Sequence, residues 1–539
     1  MRATSRATPA APAAPARPVG QVAQVALAPL TALAMLLTTA SCTGTRDDAI
    51  PEPDRPAGDL AWEDCSGEPG EVLAPLDLPS GAMSQLTRDV TYECATLAVP
   101  RDWADPDGDT FEIALLRARH DDQRDRLGSL LINPGGPGGS GVDLAVYLSF
   151  GPAFGGLPTE VTERFDIVGF DPRGVKRSSP VKCFSDADLE QGFGADPDPV
   201  TQDEFDAMVA DSQRMAQACQ AEYGESLGHF STNQTARDME AIRRATGGDD
   251  GLTYLGFSYG TRLGAVYAHL FPDRVRAMVL DGAVDPAEDP VEASRGQAEG
   301  FEQAVDSFAE WCAGTPRECP LQPDARTAIS QAIEGARGSP AVGEGGREAT
   351  PGWIFYAVVA ALYSEQTWPV LAAALDQLEG GDPAGVFELA DSYAERSPDG
   401  EYSNLFDANT AITCADDDST RGVADVRALQ AQWREDYPLF GAPLATSLIN
   451  CQVWPAEPDP PQVGEADGAP PILVVGTTGD PATPYELAPR MAEVLGVGVL
   501  LTYEGEGHTA YPGSACVNDA VAAYLIDLTV PDDGIAIRR

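Results

Sequence analysis

The sequence predicts an α/β fold in which a mostly parallel sheet carries helices on both faces, and three observations predict it. Short runs of strand-forming residues recur along the chain, and several are almost continuously apolar, as strands covered on both faces are. Helical patterns lie between these runs, and strands that alternate with helices are typical of a doubly wound parallel sheet. The third observation is one long interruption of this alternation, from about residue 288 to residue 465.

Eight segments of the chain fit the strand pattern. They are residues 90–99, 110–118, 128–133, 165–171, 252–258, 275–282, 471–480 and 498–508. Helical patterns over residues 235–247 and 260–272 connect neighbouring strands. The interruption falls between the sixth and seventh strands and contains amphipathic segments at 295–312 and 368–380. It therefore predicts a helical cap, which ends in a proline-rich stretch from 455 to 471.

The charge of the chain excludes one class of partner. It has 84 acidic and 35 basic residues among 539, which gives a formal net charge of −49. A chain this acidic repels phosphate backbones and anionic lipid head groups at long range, so no nucleic-acid partner is expected. Hydrophobic residues make up 43% of the chain, which is enough to bury a large core.

The amino terminus is typical of an export signal. Residues 1–41 contain three arginines, no acid and an apolar run over 22–40, and small residues follow the run. The tetrapeptide at 39–42 is similar to a bacterial lipobox, which predicts lipidation of Cys42, with simple secretion as the alternative. Residues 42–60 then form a polar tether, and contact with a membrane is expected only through the lipid. A retained transmembrane helix is disfavoured by Pro29 and by the polar sequence that follows.

The cysteines are consistent with export to an oxidising compartment. Spacing alone does not establish their connectivity, and pairing neighbours in the sequence is the simplest hypothesis. The hypothetical pairs are Cys65 with Cys94, Cys183 with Cys219, Cys312 with Cys319, and Cys414 with Cys451. Cys516 is then left without a partner. No CxxC or HExxH motif occurs, and with four histidines in the chain we expect no metal site and no cofactor.

Residues 256–260 read Gly-Phe-Ser-Tyr-Gly and lie between a predicted strand and a predicted helix. This is the pattern of a nucleophile elbow, in which flanking glycines allow a sharp turn that exposes the serine hydroxyl. The motif alone is weak, because glycine is common in this chain. Its position after an apolar strand and before a helix makes Ser258 the predicted nucleophile rather than a passive turn residue.

A serine nucleophile needs a base, and that base is normally a histidine held by a carboxylate. In the α/β-hydrolase fold the chain order is serine, acid, histidine, and two histidines follow Ser258. His269 lies within the helix that leaves the elbow, so His508, in the loop after the last predicted strand, is the predicted base. Asp480 ends the preceding strand and is the predicted acid, with Asp281, at the end of the sixth strand, as the competitor.

Acyl transfer also requires N–H donors for the oxyanion. One is predicted from Tyr259, which follows the nucleophile, and the other from the loop after the third strand. That loop reads NPGGPGGSG over 133–141, and it makes Gly136 the first candidate and Gly135 the second. A phosphate-binding loop is the alternative, but no lysine follows the glycines and the Walker spacing is absent.

Six motifs in a fixed order resemble a known family. They are NPGGPGGSG, FDIVGFDPRGVKRSSP, YLGFSYGT, VLDGAVDP, AITCADD and GDPATP followed by GEGHTAY. Together they resemble the tripeptidyl-aminopeptidase-like (TAP-like) serine hydrolases of actinobacteria, which are α/β-hydrolases related to proline iminopeptidase. They are also similar to mycobacterial cell-envelope lipoproteins described as carboxylesterases and serine proteases.

The resemblance implies an organisation of the chain. It implies an α/β-hydrolase core over 61–287, a helical cap over 288–465 and a C-terminal TAP-like part over 466–539. It places Ser258, Asp480 and His508 on the family triad and implies that Thr483 supports the acid. One departure is that the chain ends in PDDGIAIRR without the last cysteine of the family, which puts a disulfide of Cys516 in doubt.

Three hypotheses of function follow. The first is an exported serine exopeptidase that releases short peptides from free N-termini, with Glu365 or Asp416 as the acid that binds the substrate amine. The second is a carboxylesterase that acts on envelope or environmental esters with the same triad. The third is a surface-binding module that kept the fold without catalysis, and the complete triad argues against it. Oligomeric state does not follow from the sequence.

Overall fold

The structure is a computed structural model, and it describes residues 60–74, 81–248, 250–419 and 421–538. The predicted signal segment, Cys42 and the tether up to residue 59 lie outside the described residues. In the described residues no helix is both long enough and apolar enough to cross a membrane.

The described part of the chain forms twelve strands. They are β1 (Glu63–Asp64), β2 (Val90–Pro100), β3 (Thr110–His120), β4 (Gly128–Asn133), β5 (Phe165–Phe170), β6 (Leu252–Phe257), β7 (Val275–Asp281), β8 (Ala341–Val342), β9 (Glu348–Ala349), β10 (Ile472–Gly479), β11 (Gly498–Glu506) and β12 (Ile535–Arg538). Ten of them form one sheet in the order β1-β2-β3-β5-β4-β6-β7-β10-β11-β12. From β5 to β12 in this order every pair of neighbouring strands is parallel. The β2–β3 and β3–β5 pairs are antiparallel.

The α/β-hydrolase fold predicted from the sequence is confirmed, with helices packed on both faces of the sheet. All eight predicted strands are present, and two short edge strands, β1 and β12, extend the expected eight-stranded sheet to ten. Every residue of β5 and β6 is buried. This explains their continuous apolar sequences, because a central parallel strand has no face in contact with water. Two large clusters of buried side chains cover the two faces.

The helices of the described residues alternate with the strands except in one long interval. They are α1 (Glu68–Val72), α2 (Ala82–Leu86), α3 (Gly141–Leu148), α4 (Thr159–Thr162), α5 (Asp186–Gly194), α6 (Gln202–Tyr223), α7 (Thr232–Ala245), α8 (Tyr259–Leu270), α9 (Pro290–Gly314), α10 (Ala325–Gly338), α11 (Pro351–Leu362), α12 (Trp368–Glu379), α13 (Ala384–Ala394), α14 (Leu405–Asp416), α15 (Val423–Asp436), α16 (Gly441–Ser447), α17 (Ile449–Gln452), α18 (Leu487–Leu495) and α19 (Ala515–Asp527). The nine helices from α9 to α17, with the small β8–β9 hairpin, lie between β7 and β10, where the sequence predicts the cap.

Four disulfides join the cysteines that are neighbours in the sequence. They are Cys65–Cys94, Cys183–Cys219, Cys312–Cys319 and Cys414–Cys451, and Cys516 is free and exposed. Cys414–Cys451 joins α14 to α17 within the interval between β7 and β10. Disulfides of this number are typical of proteins outside the reducing cytosol.

Candidate active site

Ser258 lies on a sharp turn between β6 and α8. Its φ of 54° and ψ of −125° fall in a region that non-glycine residues rarely adopt. The Ser258 N–H donates to the Asp281 carbonyl at 3.0 Å, and the Ser258 carbonyl accepts from the N–H and hydroxyl of Thr261. A Cβ at Gly256 would lie 2.4 Å from the carbonyl oxygen of Gly260, so the close approach requires glycine. Ser258 itself is half-buried, which leaves its side chain accessible to a substrate.

Asp480 follows β10, and its side chain is completely buried. One carboxylate oxygen accepts the N–H groups of Ala482 and Thr483, both at 2.9 Å. The other accepts the Thr483 hydroxyl at 3.0 Å and the Thr509 N–H at 3.2 Å. These hydrogen bonds fix the orientation of the carboxylate, and the Thr483 contact agrees with the supporting role implied by the resemblance.

His508 follows β11 and contacts Asp480 directly. Its Nδ1 lies 2.9 Å from both carboxylate oxygens of Asp480, and its backbone N–H donates to the carbonyl of Tyr363 at 2.8 Å. Burial by itself lowers the pKa of His508, but Asp480, with a smaller contribution from Asp281, raises the net pKa above its ordinary value. The imidazole is therefore oriented by a carboxylate through Nδ1, and Nε2 is the nitrogen left for proton transfer.

The register of the sheet places Ser258 next to this pair. Phe257 of β6 pairs with Asp281 of β7, and Asp281 pairs with Val475 of β10. A Cβ built on Gly282 would lie 3.1 Å from Cε1 of His508, so the imidazole stands directly over the residue that follows β7. Within the described residues no hydrogen bond joins the Ser258 hydroxyl to His508. In substrate-free enzymes such contacts are often long and shorten when the substrate binds.

Asp281 is the competing acid, and the structure places it differently from Asp480. It is completely buried at the end of β7 and accepts the backbone N–H groups of Ala510 and Tyr511, at 3.0 and 2.7 Å. Burial raises the pKa of Asp281 to about 7, although these two hydrogen bonds lower it. No hydrogen bond joins Asp281 to the His508 ring in the described part of the chain, so its contact is with the backbone of the histidine loop.

The loop after β4 lies against the elbow. Gly135 has a φ of 91°, and a Cβ there would lie 2.8 Å from the amide nitrogen of Tyr259. The Gly135 N–H donates to Oδ1 of Asn133 at 2.9 Å and is therefore not available to a substrate. Across the described residues the N–H groups of Gly136 and Tyr259 donate no hydrogen bond to the protein. The structure thus favours Gly136 and Tyr259 as donors and disfavours Gly135.

Asp171 anchors the other end of this loop, and sequence reasoning missed it. Its buried carboxylate accepts the Ser140 hydroxyl at 2.5 Å, the Val142 N–H at 3.2 Å and the Arg177 N–H at 3.1 Å. These contacts join the start of α3, at the end of the glycine loop, to the segment after β5. The acid stands in the motif FDPRGVKRSSP, so the motif itself was the available signal.

The two acids predicted to bind a substrate amine occupy different environments. Both oxygens of Asp416, on α14, accept hydrogen bonds from Thr232, and the Thr232 hydroxyl lies 2.5 Å from the hydroxyl of Tyr259. Asp416 thus links the interval between β7 and β10 to the core. Glu365 is half-buried two residues after Tyr363, and its charge contributes to raising the pKa of Glu506.

The sequence allows Tyr363 and Trp368 either as lining of the substrate pocket or as core residues, and in the structure Tyr363 contacts the histidine. Its ring packs edge-on against the His508 ring, with centroids 5.2 Å apart. Trp368, a further aromatic of the same segment, is buried among Phe308 and Trp311 instead. Nothing in the sequence distinguished these two aromatic residues. No group of three or more potential metal ligands was found among the described residues.

Two family profiles match the chain. The profile described as "alpha/beta hydrolase fold" matches residues 128–319, and the profile described as "TAP-like protein" matches residues 437–536. The second match covers β10, β11 and the segments that carry Asp480 and His508.

Three curated relatives are similar over most of their length. "Serine protease Hip1" of Mycobacterium tuberculosis is 38% identical over 497 residues, which is 88% of this chain and 90% of that protein. "Carboxylesterase B" of the same organism is 39% identical over 460 residues, 82% of this chain and 85% of the relative. "Tripeptidyl aminopeptidase" of Streptomyces lividans is 30% identical over 477 residues, 87% of this chain and 84% of the relative.

Proposed function

The chain belongs to the TAP-like family of α/β-hydrolases and is a serine hydrolase, and we propose that it is an exported exopeptidase. In this proposal it releases short, tripeptide-like peptides from free N-termini through an acyl-enzyme on Ser258. Residues 288–465 form the cap above the site. The observation that carries the proposal is the hydrogen bond between Nδ1 of His508 and Asp480, on strand ends next to the Ser258 elbow.

The proposed reaction needs only proton transfer and stabilisation of an oxyanion. His508 Nε2 takes the proton of Ser258 as Oγ bonds to the carbonyl carbon of the substrate. The N–H groups of Gly136 and Tyr259 donate to the oxyanion. Both are available for this because, within the described residues, neither donates a hydrogen bond to the protein. The protonated His508 gives its proton to the leaving amine as the C–N bond breaks. Water then attacks the acyl-enzyme by the same steps and releases the peptide.

Recognition of a free amine requires a negative charge at the far end of the bound peptide. Of the two predicted acids we favour Glu365, because it is half-buried and lies two residues after Tyr363, which contacts His508. Asp416 is bound through both oxygens to Thr232. Glu365 also lies close enough to Glu506 for its charge to raise the pKa of that carboxyl, so the two acids share one region of negative potential.

A second candidate function is carboxylesterase activity with the same three residues. The 39% identity to a relative named as a carboxylesterase favours it. The same nucleophile, base and oxyanion donors serve ester and amide substrates alike, so the two functions differ only in how the substrate is bound.

A labelling experiment tests the shared chemistry. A fluorophosphonate probe is expected to label the wild-type protein and to leave Ser258→Ala unlabelled. Labelling of Ser258→Ala at the wild-type level would show that the nucleophile is wrong. Absence of labelling in the folded wild type would favour the third hypothesis, a surface-binding module without catalysis.

A substrate comparison separates the two enzymatic functions. The kcat/KM for a tripeptidyl p-nitroanilide is measured beside that for its N-acetylated form and for p-nitrophenyl esters. An aminopeptidase loses nearly all activity on the blocked peptide, and Glu365→Gln is expected to lose the preference for the free amine. An esterase does not distinguish the two peptides and prefers the acyl esters.

Export and anchoring complete the proposal. Four disulfides in the described residues support a location outside the cytosol. Cys42 is the proposed lipid attachment site. Radiolabelled palmitate fed to an expressing actinobacterium is expected to label the wild type, and Cys42→Ala is expected to appear unlabelled in the medium.

A further inference from the structure

Four aromatic residues form a connected set that starts at the imidazole of His508 and branches at Tyr393. We call the set Tyr356, Tyr363, Tyr393 and Phe406 the aromatic wall. Tyr363 lies against His508, and its ring centroid is 6.3 Å from that of Tyr393. Tyr393 in turn lies 5.6 Å from Tyr356 and 5.9 Å from Phe406. The wall therefore begins at the predicted base and continues without a gap through α11, α13 and α14.

The far end of the wall lies beside the oxyanion loop. Asn409, one turn after Phe406 on α14, donates from Nδ2 to the carbonyl of Pro137 at 2.9 Å. The position of a Cβ on Gly138 is 2.5 Å from the carbonyl oxygen of Leu405, so the start of α14 rests on the backbone of this loop. The wall consequently spans the distance between His508 and the oxyanion donors, which is where the acyl part of a substrate on Ser258 must lie.

The wall residues are deep in the protein and yet accessible. Burial raises the pKa of Tyr363 to about 12 and raises those of Tyr356 and Tyr393 further. All four wall side chains are nevertheless only half-buried. Residues that keep some accessible surface are able to contact a bound group, whereas Phe193, which packs against Tyr356 and Phe406, is buried.

We propose that the aromatic wall is the subsite for an apolar group carried by the acyl part of the substrate. In a peptide this group is the side chain of the residue whose carbonyl is attacked, and in an ester it is the acyl chain. The inference rests on the proposed function and adds to it a substrate class. Three phenol rings and one phenyl ring offer apolar faces and no fixed positive charge, so they favour aromatic or aliphatic groups over carboxylates.

The test uses two substrate series with the intact protein. The first consists of free-amine tripeptidyl p-nitroanilides that differ only in the last residue, which is Phe, Leu, Ala or Glu. The second consists of p-nitrophenyl acetate, butyrate and hexanoate. The variants are Tyr393→Ala and Phe406→Ala, with Phe406→Leu as a variant of nearly unchanged volume. Phe154→Ala, at an exposed aromatic residue outside the wall, is the matched control.

The wild type is expected to prefer Phe and Leu over Ala by at least about tenfold in kcat/KM, and to prefer Ala over Glu. In Tyr393→Ala and Phe406→Ala the preference for Phe over Ala is expected to fall about tenfold, because the apolar surface that contacts the larger side chain is removed. Phe406→Leu keeps a preference for Leu, and Phe154→Ala behaves as wild type. The series in which the preference collapses identifies whether the apolar group is a side chain or an acyl chain.

Two results would overturn the inference. One is a wild type that hydrolyses these substrates without preferring apolar groups in either series. The other is an unchanged preference in folded Tyr393→Ala and Phe406→Ala. Both differ from failure of the proposed function, in which no substrate is turned over and Ser258 is not labelled by a fluorophosphonate.

Discussion

The carboxyl ends of β7 and β10 lie side by side in the sheet, and each ends in a buried aspartate close to the same loop. Asp480, after β10, binds the imidazole of His508 with both oxygens. Asp281, at the end of β7, binds only backbone N–H groups two and three residues further along that loop. One aspartate therefore orients the ring, and the other holds the chain that carries it.

The difference between the two strand ends lies in which atoms they meet. Residue type, depth and position at the end of an apolar strand are alike, so none of these properties assigns the role. Asp480 is surrounded by donors from the turn that follows it and from Thr509, whereas Asp281 has two backbone donors and a pKa raised by burial to about 7. A carboxylate acts as the orienting acid only where a side-chain nitrogen completes its surroundings.

The largest loss of activity is expected from removing the charge of Asp480, after β10. Asp480→Asn is expected to lower kcat by about 10⁴-fold, because an amide holds the wrong tautomer of the imidazole. Steady-state kinetics on a peptidyl anilide and on a p-nitrophenyl ester measure it. Asp281→Asn is expected to lower kcat about tenfold or less on the same substrates, because it weakens only one or two ordinary hydrogen bonds.

A matched control for this pair is Asp407→Asn. Asp407 is also buried and accepts two backbone N–H groups, but from Cys183 and Phe184 rather than from the histidine loop. It should leave kcat within about threefold of wild type, as a substitution outside the reacting groups does. An Asp281→Asn loss as large as that of Asp480→Asn would mean that the assignment of the two acids is wrong.

A smaller loss of activity is expected from removing the Thr483 hydroxyl, which supports Asp480 after β10. Thr483→Val keeps the shape of the side chain and removes the donor to Asp480 at 3.0 Å. The expected loss in kcat is about fivefold, which corresponds to one hydrogen bond of about 1 kcal/mol. Thr483→Ser, which restores the hydroxyl, should recover most of the activity, and a Ser variant as impaired as Val would refute a role for the hydroxyl.

Removing the charge of Asp281, at the end of β7, is expected to shift the pH dependence of kcat/KM. The base must be neutral to accept a proton, so kcat/KM falls as His508 becomes protonated. Because the pKa of His508 is raised above the ordinary 6.5 of histidine, the midpoint of this acid limb lies above pH 6.5. Because Asp281 contributes to that raised pKa, Asp281→Asn should shift the midpoint of the limb to lower pH. Asp407→Asn should not move it, and an upward shift in Asp281→Asn would contradict the electrostatic contact.

The smallest expected effect concerns stability. The pKa of Asp281 is raised from its ordinary 3.8 to about 7 in the folded protein. Its contribution to stability is complete below the unfolded pKa and is lost as the pH rises through about 7. The melting temperature of the wild type should therefore fall between pH 5 and pH 7.5 by about 1–3 °C more than that of Asp281→Asn. Thr483→Val, which removes no titratable group, should follow the wild type in calorimetry.

The parts of the fold that were predicted share a physical reason. Strands such as β5 and β6 are buried on both faces, so their whole length is apolar and visible in the sequence. The two short edge strands were not predicted, since β1 has two exposed residues and β12 is exposed over most of its four. Pairing with a neighbour, rather than any pattern of their own, makes them strands.

The candidate site divides in the same way. Ser258, Asp480, His508 and Gly136 stand in motifs whose chemistry depends on residue type and on position beside a strand end. Gly135 and Asp416 were equally good candidates by type, and each proved to be engaged by a neighbouring side chain, of Asn133 and Thr232 respectively. Whether a donor or acceptor is available depends on where the surrounding side chains point, and neither the local contact of Gly135 nor the long-range contact of Asp416 is visible in residue type.

By itself the sequence determined the class of fold, the strand ends that carry the reacting groups and the kind of chemistry they perform. These depend on hydrophobic periodicity and on local turns, which are written along a single stretch of chain. Only the tertiary structure decided which aspartate reaches the imidazole, which candidate glycine and acid are already engaged, and which aromatic ring packs against His508. Those outcomes depend on distances of a few ångströms between particular atoms, and no local pattern encodes such distances.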